Sequence, residues 1–339
     1  MIVHVISETA YVTKGQGVHT AFIDLVELLK SEDDIEVVVN TEGTGDVLHS
    51  QTYGPYYFWI GRKYKGRRIH TVHVIPDSIK GSLVAWKYLL PLVRAYFKMV
   101  FSYSDMLIAI SPMVEDAIRA LGVTTPIARI TNPIMAERWK RTAERRQAGR
   151  ALLGLADTDR VVLGVGQLQE RKGVEDFIDI GEAIPNATFI WVGGRPFGAF
   201  TEGMNRIDER IRGASGNIRF AGLHDLRDMP AIYAAADIFL FPSYQENCPL
   251  APLEAAACGM PVVYRDLEEY RRLYKHPYLS AVSLSDFVAL TKRLLDDQLY
   301  CADATRLSAA LTGQFDKQVI RTELVQLYSE VLENATGTR

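Results

Sequence analysis

The sequence predicts an α/β protein in which two doubly wound domains are each built on a parallel sheet. The chain has 339 residues, which is too long for one ordinary hydrophobic core and indicates two domains. Apolar residues make up 48% of it and charged residues 23%, which is typical of soluble globular proteins. Short β-branched runs alternate with longer helical patterns twice over, as in parallel sheets covered by helices.

Several apolar runs have the composition of buried parallel strands. In the first half they are IVHVIS, IEVVVN, RIHTVHVI and MLIAI. In the second half they are VVLGVG, TFIWVGG, NIRFAG, DIFLFPS and PVVYRD. Helical periodicity fits between them, for example over residues 18–30, 112–121, 174–183 and 229–235.

A polar, highly charged segment without a strand pattern, residues 135–150, indicates the domain boundary. We therefore predict a first domain over residues 1–140 and a second over residues 141–314. The C-terminal segment 315–339 contains a helical pattern, and we expect that helix to pack back on the first domain.

Composition excludes several classes of protein. The net charge of −3 gives no signal for nucleic acid. The three cysteines lack CxxC spacing, which argues against a disulfide framework and a zinc site. The sequence has no basic leader and no charge-free apolar run of about 18 residues, so we expect a cytoplasmic protein without a membrane span.

Two glycine loops are candidate sites for phosphate. The stretch VLGVGQLQERKG places Gly164 and Gly166 at a strand end, and Arg171, Lys172 and Gly173 at the start of the next helix. Backbone amides at a helix N-terminus together with cations hold a phosphate group. The stretch VTKGQGVHTAF places Gly15 and Gly17 between the first strand and the first helix, where another molecule can approach the backbone. The alternative for both stretches is an ordinary turn, with solvated cations in the first.

Two glutamates lie eight positions apart in ENCPLAPLEAAACGMPVV. Pro249 and Pro252 delay the helix, so Glu246 is expected on the loop after DIFLFPS and Glu254 in the first helical turn. Carboxylates that flank backbone amides at the carboxyl end of a strand suit a nucleotide sugar. One carboxylate would accept hydrogen bonds from the hydroxyls of the sugar, and the other from the hydroxyls of the ribose. In the alternative, Glu246 is a surface loop residue and Glu254 is a carboxylate that stabilises the start of the helix.

The stretch SYQENCPLAPLEAAACGMPVV resembles the paired-glutamate motif of retaining glycosyltransferase family 4, whose GT-B fold has two facing Rossmann-like domains. GQLQERKG, ITNPI and ADIFLFPS resemble further segments of that family, in the same order. KGQGVHTAF, TVHVIPDSIKGS and FIWVGGRPFG are similar to the bacterial glycosyldiacylglycerol glycosyltransferases. Those enzymes use a UDP-sugar to add a second hexose to a monohexosyl-diacylglycerol.

The resemblance implies roles for individual residues. Glu246 would contact the donor hexose, Glu254 the ribose, and Lys172 with Arg171 the diphosphate. His73 lies where the family has a histidine near the transferred sugar, although it is also compatible with a buried core histidine. The remaining donor contacts that the resemblance implies are Gly15, Gly17, Gln167, Asn247, Cys248, Pro249 and Leu250. Gln167, Asn247 and Pro249 replace the family's usual arginine and glycines.

The inferred reaction is retaining transfer with UDP-hexose as a substrate, and the resemblance implies neither a metal nor a cofactor. The alternatives are a family-4 enzyme for a soluble or polyprenyl-linked saccharide, a GT-B sugar-nucleotide epimerase, and a nucleotide-sugar binding protein without activity. Glucose and galactose differ at one hydroxyl, and the sequence does not choose between them.

Residues 47–104 carry nine cations and one anion within a chain of net charge −3. Lys80, Lys87, Arg94 and Lys98 are 7, 7 and 4 positions apart, which places them on one helix face. Trp86, Tyr88, Tyr96 and Phe97 add aromatic bulk. A basic face with aromatic residues suits an anionic membrane surface, and we expect a peripheral protein on the inner face of the cell membrane that acts on a glycolipid. The alternative is a solvated face on a buried helix. No motif for nucleic acid accompanies the charge.

Overall fold

The computed structural model describes residues 1–9, 17–52, 54–79, 86–195 and 204–336. The chain forms two compact units. The first unit comprises the described residues up to Pro133 together with those from Phe315 onwards. The second unit is built chiefly from the continuous stretch between Ile134 and Gln314.

A parallel sheet of six strands forms the centre of the first unit. Its strands are β1 (Ile2–Ile6), β2 (Glu36–Val39), β3 (Val47–Ser50), β4 (Arg67–Val72), β5 (Met106–Ala109) and β6 (Ile127–Arg129). Their order in the sheet is β2-β1-β3-β4-β5-β6. The helices between them are α1 (Gly17–Lys30), α2 (Tyr56–Gly61), α3 (Trp86–Ser102) and α4 (Pro112–Ala120).

The first-unit sheet contains two strands that the sequence did not indicate, β3 and β6. β3 has the sequence VLHS, in which polar residues fill half the positions, yet all four side chains are buried.

Helix α4 begins as local chemistry dictates: the Ser111 hydroxyl accepts a hydrogen bond from the Val114 amide (3.3 Å), and Pro112 occupies the first turn.

A second parallel sheet of six strands forms the centre of the second unit. Two helices precede it, α5 (Ala136–Trp139) and α6 (Ala143–Leu152). The strands are β7 (Val161–Val165), β8 (Thr188–Val192), β9 (Ile218–Gly222), β10 (Ile238–Phe241), β11 (Val262–Arg265) and β12 (Leu279–Ala281). Their order is β12-β11-β10-β7-β8-β9. The other helices are α7 (Val174–Glu182), α8 (Met204–Gly213), α9 (Met229–Ala235), α10 (Ala251–Ala257), α11 (Glu268–Leu273), α12 (Leu284–Asp296) and α13 (Gln298–Thr312).

Aromatic residues fill the core of the second unit around β7. The ring of Phe177 packs edge-on against Trp191, with centroids 5.1 Å apart. Gly164 lies within β7, and a Cβ there would be 2.6 Å from the Trp191 ring. Gly164 therefore makes room for the core and does not lie at the strand end where the sequence suggested it.

The charged segment 135–150 is helical and packs on the second unit. Trp139 at the end of α5 is buried, and its ring lies edge-on to Tyr233 of α9 with centroids 5.3 Å apart. Helix α6 crosses α9 so closely that a Cβ on Gly149 would lie 1.9 Å from the Ala231 carbonyl oxygen. Arg146 forms an ion pair with Asp237 (2.7 Å). Arg146 thus ties this charged segment to the second unit.

The last helix, α14 (Lys317–Thr336), belongs to the first unit. Arg321 forms an ion pair with Glu32 just after α1 (2.7 Å). Tyr328 is fully buried and reaches His49 on β3. Across the described ranges, no helix combines the length and apolar character required to cross a bilayer.

We expect the close contact between α6 and α9 to be sensitive to a single methyl group. Gly149→Ala should lower the free energy of unfolding by about 1–3 kcal/mol, because a Cβ would collide with backbone. Gly213→Ala is the matched control: it lies at the end of α8 with nothing within 4 Å, so it should raise stability by up to about 1 kcal/mol. Thermal unfolding of both variants checks this. Equal midpoints would contradict the contact.

Candidate active site

The predicted phosphate loop and the glutamate loop meet in the second unit. Strands β7 and β10 are parallel neighbours, with Ile238 opposite Val162. Both loops leave the carboxyl ends of these strands, which is where open α/β sheets bind ligands. The fold therefore brings together two segments that are far apart in sequence.

The phosphate loop is tied to its surroundings by backbone contacts. The Gly166 amide donates to the carbonyl of Val192 (3.0 Å). A single 3₁₀ turn follows, and Gly173 then adopts the left-handed conformation at φ +70° before α7 begins. A Cβ on Gly173 would lie 2.3 Å from the Pro242 carbonyl oxygen. Only glycine lets the turn lie this close to the glutamate loop.

Lys172 and Glu246 form a buried ion pair between the two loops. Their side chains are 14% and 8% exposed, so both charges are largely removed from water. The ammonium lies 5.7 Å from the centroid of the Phe241 ring. Burial lowers the pKa of Lys172, Arg171 lowers it further, and the Glu246 carboxylate opposes this shift. A cation beside a carboxylate suits a ligand that has both anionic groups and hydroxyls.

Arg171 points along the glutamate loop. Its carbonyl accepts a hydrogen bond from the Tyr244 amide (2.8 Å), and its guanidinium donates to the Gln245 carbonyl (3.4 Å). Its Nε is buried without a hydrogen-bond partner among the residues that the structure describes. In this conformation Arg171 holds the loop that carries Glu246.

A second clamp on the glutamate loop comes from Arg265 at the end of β11. Its Nε donates to the Pro242 carbonyl (2.9 Å), and its guanidinium forms an ion pair with Asp176. The same guanidinium lies 3.9 Å from the Tyr244 ring centroid, and the Tyr244 hydroxyl donates to Asp176 (2.7 Å). No sequence motif indicated Arg265, and its one local signal is a cation at the end of a buried apolar strand.

Glu254 lies one turn into α10, as the prolines indicated. It is 7% exposed, and one carboxylate oxygen accepts a hydrogen bond from the Tyr233 hydroxyl on α9 (2.6 Å). Burial, with Glu254 adding to it, raises the pKa of Tyr233 far above its usual value, so the hydroxyl remains a donor. Tyr233 thus orients the second glutamate, and no sequence pattern indicated it.

The residues between the two glutamates are mostly buried. Cys248, Pro249 and Leu250 are buried and Asn247 is half-buried. In the phosphate loop Gln167 is half-buried directly after Gly166. The roles given to these residues in donor binding stay predictions.

A group of tyrosines packs behind the glutamate loop. The Tyr270 ring lies 6.4 Å from Phe241 and 5.3 Å from Tyr264, measured between centroids. Burial raises the pKa of Tyr270 far above its ordinary value, and the nearby Glu246 carboxylate raises it further. These tyrosines therefore remain neutral and supply an aromatic core behind the glutamate loop.

The first-unit candidates have different surroundings. His73 follows β4, is 8% exposed, and lies with its Nε2 2.5 Å from Oε1 of Gln51. Burial lowers the pKa of His73 to about 4, so its ring is neutral near pH 7. Gly17 begins α1 at an exposed position with open space around it. Gly15 lies outside the described residues.

Helix α3 has an exposed apolar stripe beside its cations. Tyr88, Leu92 and Met99 are 85%, 70% and 53% exposed, and their spacing places them on one face. Arg94 and Lys98 are also exposed, about 140° and 100° around the helix from the centre of this stripe. Lys80 and the side chains of Trp86 and Lys87 lie outside the described part. Phe97 was counted with the surface aromatics, but it is buried and packs on Phe101 with centroids 5.5 Å apart.

No group of three or more metal-ligating side chains (His, Cys, Asp or Glu) occurs in the described parts of the chain. Asp159, in the DTD triplet before β7, accepts a hydrogen bond from the Ala156 amide (2.9 Å). Its carboxylate thus closes a local turn.

Comparison with solved structures identifies the fold. The chain superimposes on HepE of Anabaena, solved with UDP and glucose, with a TM-score of 0.75 at 18% identity, covering 96% of this chain and 99% of that one. It matches a sucrose-phosphate synthase from Thermosynechococcus elongatus with a TM-score of 0.79 at 18% identity, covering 98% and 99%. The predicted GT-B class, with two doubly wound parallel-sheet domains, is confirmed.

Sequence comparison identifies the family. Residues 19–138 match the model described as Glycosyltransferase Family 4, and residues 159–297 match that described as Glycosyl transferases group 1. An alpha-galactosylglucosyldiacylglycerol synthase of Streptococcus pneumoniae is 36% identical over 270 residues, which are 78% of this chain and 72% of that protein. A processive diacylglycerol alpha-glucosyltransferase of Acholeplasma laidlawii is 27% identical over 294 residues, covering 86% and 87%. The chain therefore belongs to glycosyltransferase family 4.

Proposed function

We propose that the chain is a retaining hexosyltransferase that moves glucose or galactose from a UDP-sugar to a membrane glycolipid. The acceptor is a monohexosyl-diacylglycerol, because the Streptococcus pneumoniae relative is named for a dihexosyl-diacylglycerol product and the Acholeplasma laidlawii relative for glucosyl transfer to diacylglycerol. The observation that carries the proposal is the buried pair of Lys172 and Glu246 beneath the glutamate loop. UDP and glucose bound to HepE support the choice of donor.

The second unit offers complementary groups for each part of the donor. Lys172 supplies positive charge to the diphosphate, and Glu246 accepts hydrogen bonds from hexose hydroxyls. Glu254, oriented by Tyr233, accepts hydrogen bonds from the ribose. When the donor enters, the diphosphate and the hexose hydroxyls replace the contact between Lys172 and Glu246. The ion pair thus keeps both charges in place until the ligand arrives.

Transfer breaks the bond between C1 of the hexose and the diphosphate oxygen, and the electron pair of that bond stays on UDP. The acceptor hydroxyl attacks C1 from the same face, and its proton passes to the leaving phosphate. Lys172 stabilises the negative charge that develops on the diphosphate. His73 is proposed to contact the transferred hexose as a neutral hydrogen-bonding group. The mechanism requires no cofactor, since these side chains supply the charge.

A product assay tests the function. Purified protein with UDP-glucose or UDP-galactose and vesicles that contain monoglucosyl-diacylglycerol should yield a new dihexosyl lipid. Glu246→Ala should reduce kcat by about 100- to 1,000-fold, as expected for the loss of a group that acts on the transition state. Glu209→Ala on the exposed surface of α8 is the control and should leave kcat unchanged.

Other outcomes of the product assay would indicate other functions. UDP release without a lipid product would refute the glycolipid acceptor and point to a soluble or polyprenyl-linked saccharide. A converted donor sugar without any acceptor would indicate an epimerase. UDP binding without turnover would indicate a binding protein.

The buried lysine predicts how donor binding depends on pH. Burial lowers the pKa of Lys172, so its charge is present at lower pH and is lost as pH rises through the depressed value. Above that value the Kd for UDP should rise about tenfold per pH unit. Calorimetry from pH 7.5 upwards measures this. Lys172→Arg should remove the dependence because arginine stays charged, and Glu246→Gln should move it to lower pH. An unchanged profile in Lys172→Arg would contradict the assignment.

We further propose that α3 binds the inner face of the cell membrane. The stripe of Tyr88, Leu92 and Met99 exposes apolar area that has no covering element among the described residues. Arg94 and Lys98, about 140° and 100° around the helix from the centre of the stripe, would reach anionic headgroups with their long side chains. An apolar stripe flanked by cations is typical of helices that lie in the membrane interface. This surface would bring the enzyme to its lipid acceptor.

Removal of the two described cations should weaken membrane binding. Arg94→Gln with Lys98→Gln should reduce affinity for anionic vesicles about 30-fold, because each cation near such a surface contributes about 1 kcal/mol. Lys275→Gln with Lys292→Gln, an exposed pair in the second unit, changes the net charge equally and should have no effect. Vesicle co-sedimentation checks both. Equal losses in the two variants would refute a specific membrane face.

A further inference from the structure

A line of buried polar side chains crosses the first unit from the C-terminal helix to His73. Strands β3 and β4 are parallel neighbours, with His49 opposite Ile69. Alternate positions of a strand lie on the same face, so His49 and Gln51 share a face with Thr71 and His73. The exposed fractions of these four residues, in that order, are 1%, 3%, 6% and 8%.

The members of this line are joined by short hydrogen bonds. Gln51 Oε1 lies 2.5 Å from Nε2 of His73, and Gln51 Nε2 lies 3.0 Å from Nε2 of His49. On the other side of the His49 ring, Nδ1 lies 2.5 Å from the hydroxyl of Tyr328. The Thr71 hydroxyl also reaches Nε2 of His49 (2.7 Å). Tyr328 comes from α14, 279 positions after His49.

The amide of Gln51 gives the line a direction. Its nitrogen can only donate, so Nε2 of His49 is the acceptor and the ring proton lies on Nδ1, which donates to Tyr328. Its oxygen can only accept, so Nε2 of His73 carries the proton. Each histidine is then held as one neutral tautomer, which leaves Nδ1 as the acceptor atom of the His73 ring.

The groups that face the line favour neutral rings. Burial lowers the pKa of His49 to about 3, and the nearby His73 lowers it further. His70, on the opposite face of β4, is also buried and its pKa is lowered to about 3. No carboxylate is among the groups that shift the pKa values of these three histidines.

We propose that Gln51, held in place by His49 and Tyr328, is a positioning residue that fixes the ring orientation and the Nε2-protonated tautomer of His73 for sugar transfer. The inference rests on the proposed function, because it takes His73 as the group beside the transferred hexose. It adds that the C-terminal helix takes part in the reaction through the tautomer of His73, which Tyr328 reaches by way of His49 and Gln51.

Two variants and one matched control test this role. Gln51→Met keeps most of the side-chain volume and removes both hydrogen bonds. Tyr328→Phe removes only the hydroxyl at the far end of the line. Tyr57→Phe removes a comparable buried hydroxyl in the same unit, which bonds to Ser104 (2.8 Å) outside the line. Tyr328→Phe and Tyr57→Phe should lower the unfolding midpoint by similar amounts.

The first measurement does not depend on activity. Nitrogen-15 NMR of protein labelled in histidine, with His73 assigned from a His73→Asn variant, reports the tautomer. We expect the Nε2-protonated form in the wild type and in Tyr57→Phe, and a mixture of tautomers in Gln51→Met and Tyr328→Phe. An Nδ1-protonated His73 in the wild type, or the same spectrum in all variants, would overturn the proposal whatever the enzyme transfers.

The second measurement is the rate of UDP release, with and without the glycolipid acceptor. Gln51→Met should lower kcat by about 10- to 100-fold with little change in KM for the donor, because misplacement of a reacting group mainly affects the transition state. Tyr328→Phe should lower kcat less, and Tyr57→Phe not at all. A tautomer change without a fall in kcat would overturn the positioning role. If the wild type releases UDP but forms no lipid product, the glycolipid acceptor is refuted. The kcat values of the variants for UDP release would still test the role of Gln51.

Discussion

The contact between the phosphate loop and the glutamate loop is the constraint on which the candidate site depends. It exists because Gly173 has no Cβ, so the turn can lie directly on the Pro242 carbonyl. That approach brings Lys172 to Glu246 and allows Arg265 to reach both α7 and the loop. A buried ion pair contributes little to stability, because removal of both charges from water offsets their attraction. The value of this pair therefore lies in the preorganised charges that it offers to a ligand.

The two glutamates of the motif differ because their partners differ. Glu246 faces an ammonium whose own pKa is lowered by burial, so its surroundings are ionic and respond to any anion that enters. Glu254 faces the neutral hydroxyl of Tyr233, whose raised pKa keeps it a donor over the whole physiological range. A carboxylate held by a neutral donor can keep its orientation while it accepts further hydrogen bonds. One residue type thus has two different surroundings, which suit the two binding tasks proposed for the glutamates.

Local signals predicted most of the fold, and contacts between distant residues explain what they missed. The β-branched runs and the prolines before α10 act over a few positions, so the sequence indicated them. Strand β3 was missed because it is only four residues long and two of them, His49 and Ser50, are polar. Its polarity has a long-range cause: His49 bonds to Tyr328, 279 positions away, as Arg265 bonds to Asp176 over 89 positions. Phe97 was misassigned because aromatic residues occupy both the buried and the exposed faces of α3.

The first unit is assembled from both ends of the chain, and this has a consequence for its chemistry. His73 and Gln51 are contributed early in the sequence, whereas Tyr328, which orders His49, comes after the whole second unit. Contacts of such large sequence separation form late in folding, because the loop-closure entropy is lost before the contact contributes. The polar line of the first unit is therefore complete only when α14 packs against the sheet. In the proposed role of Gln51, the tautomer of His73 thus depends on a residue of the last helix.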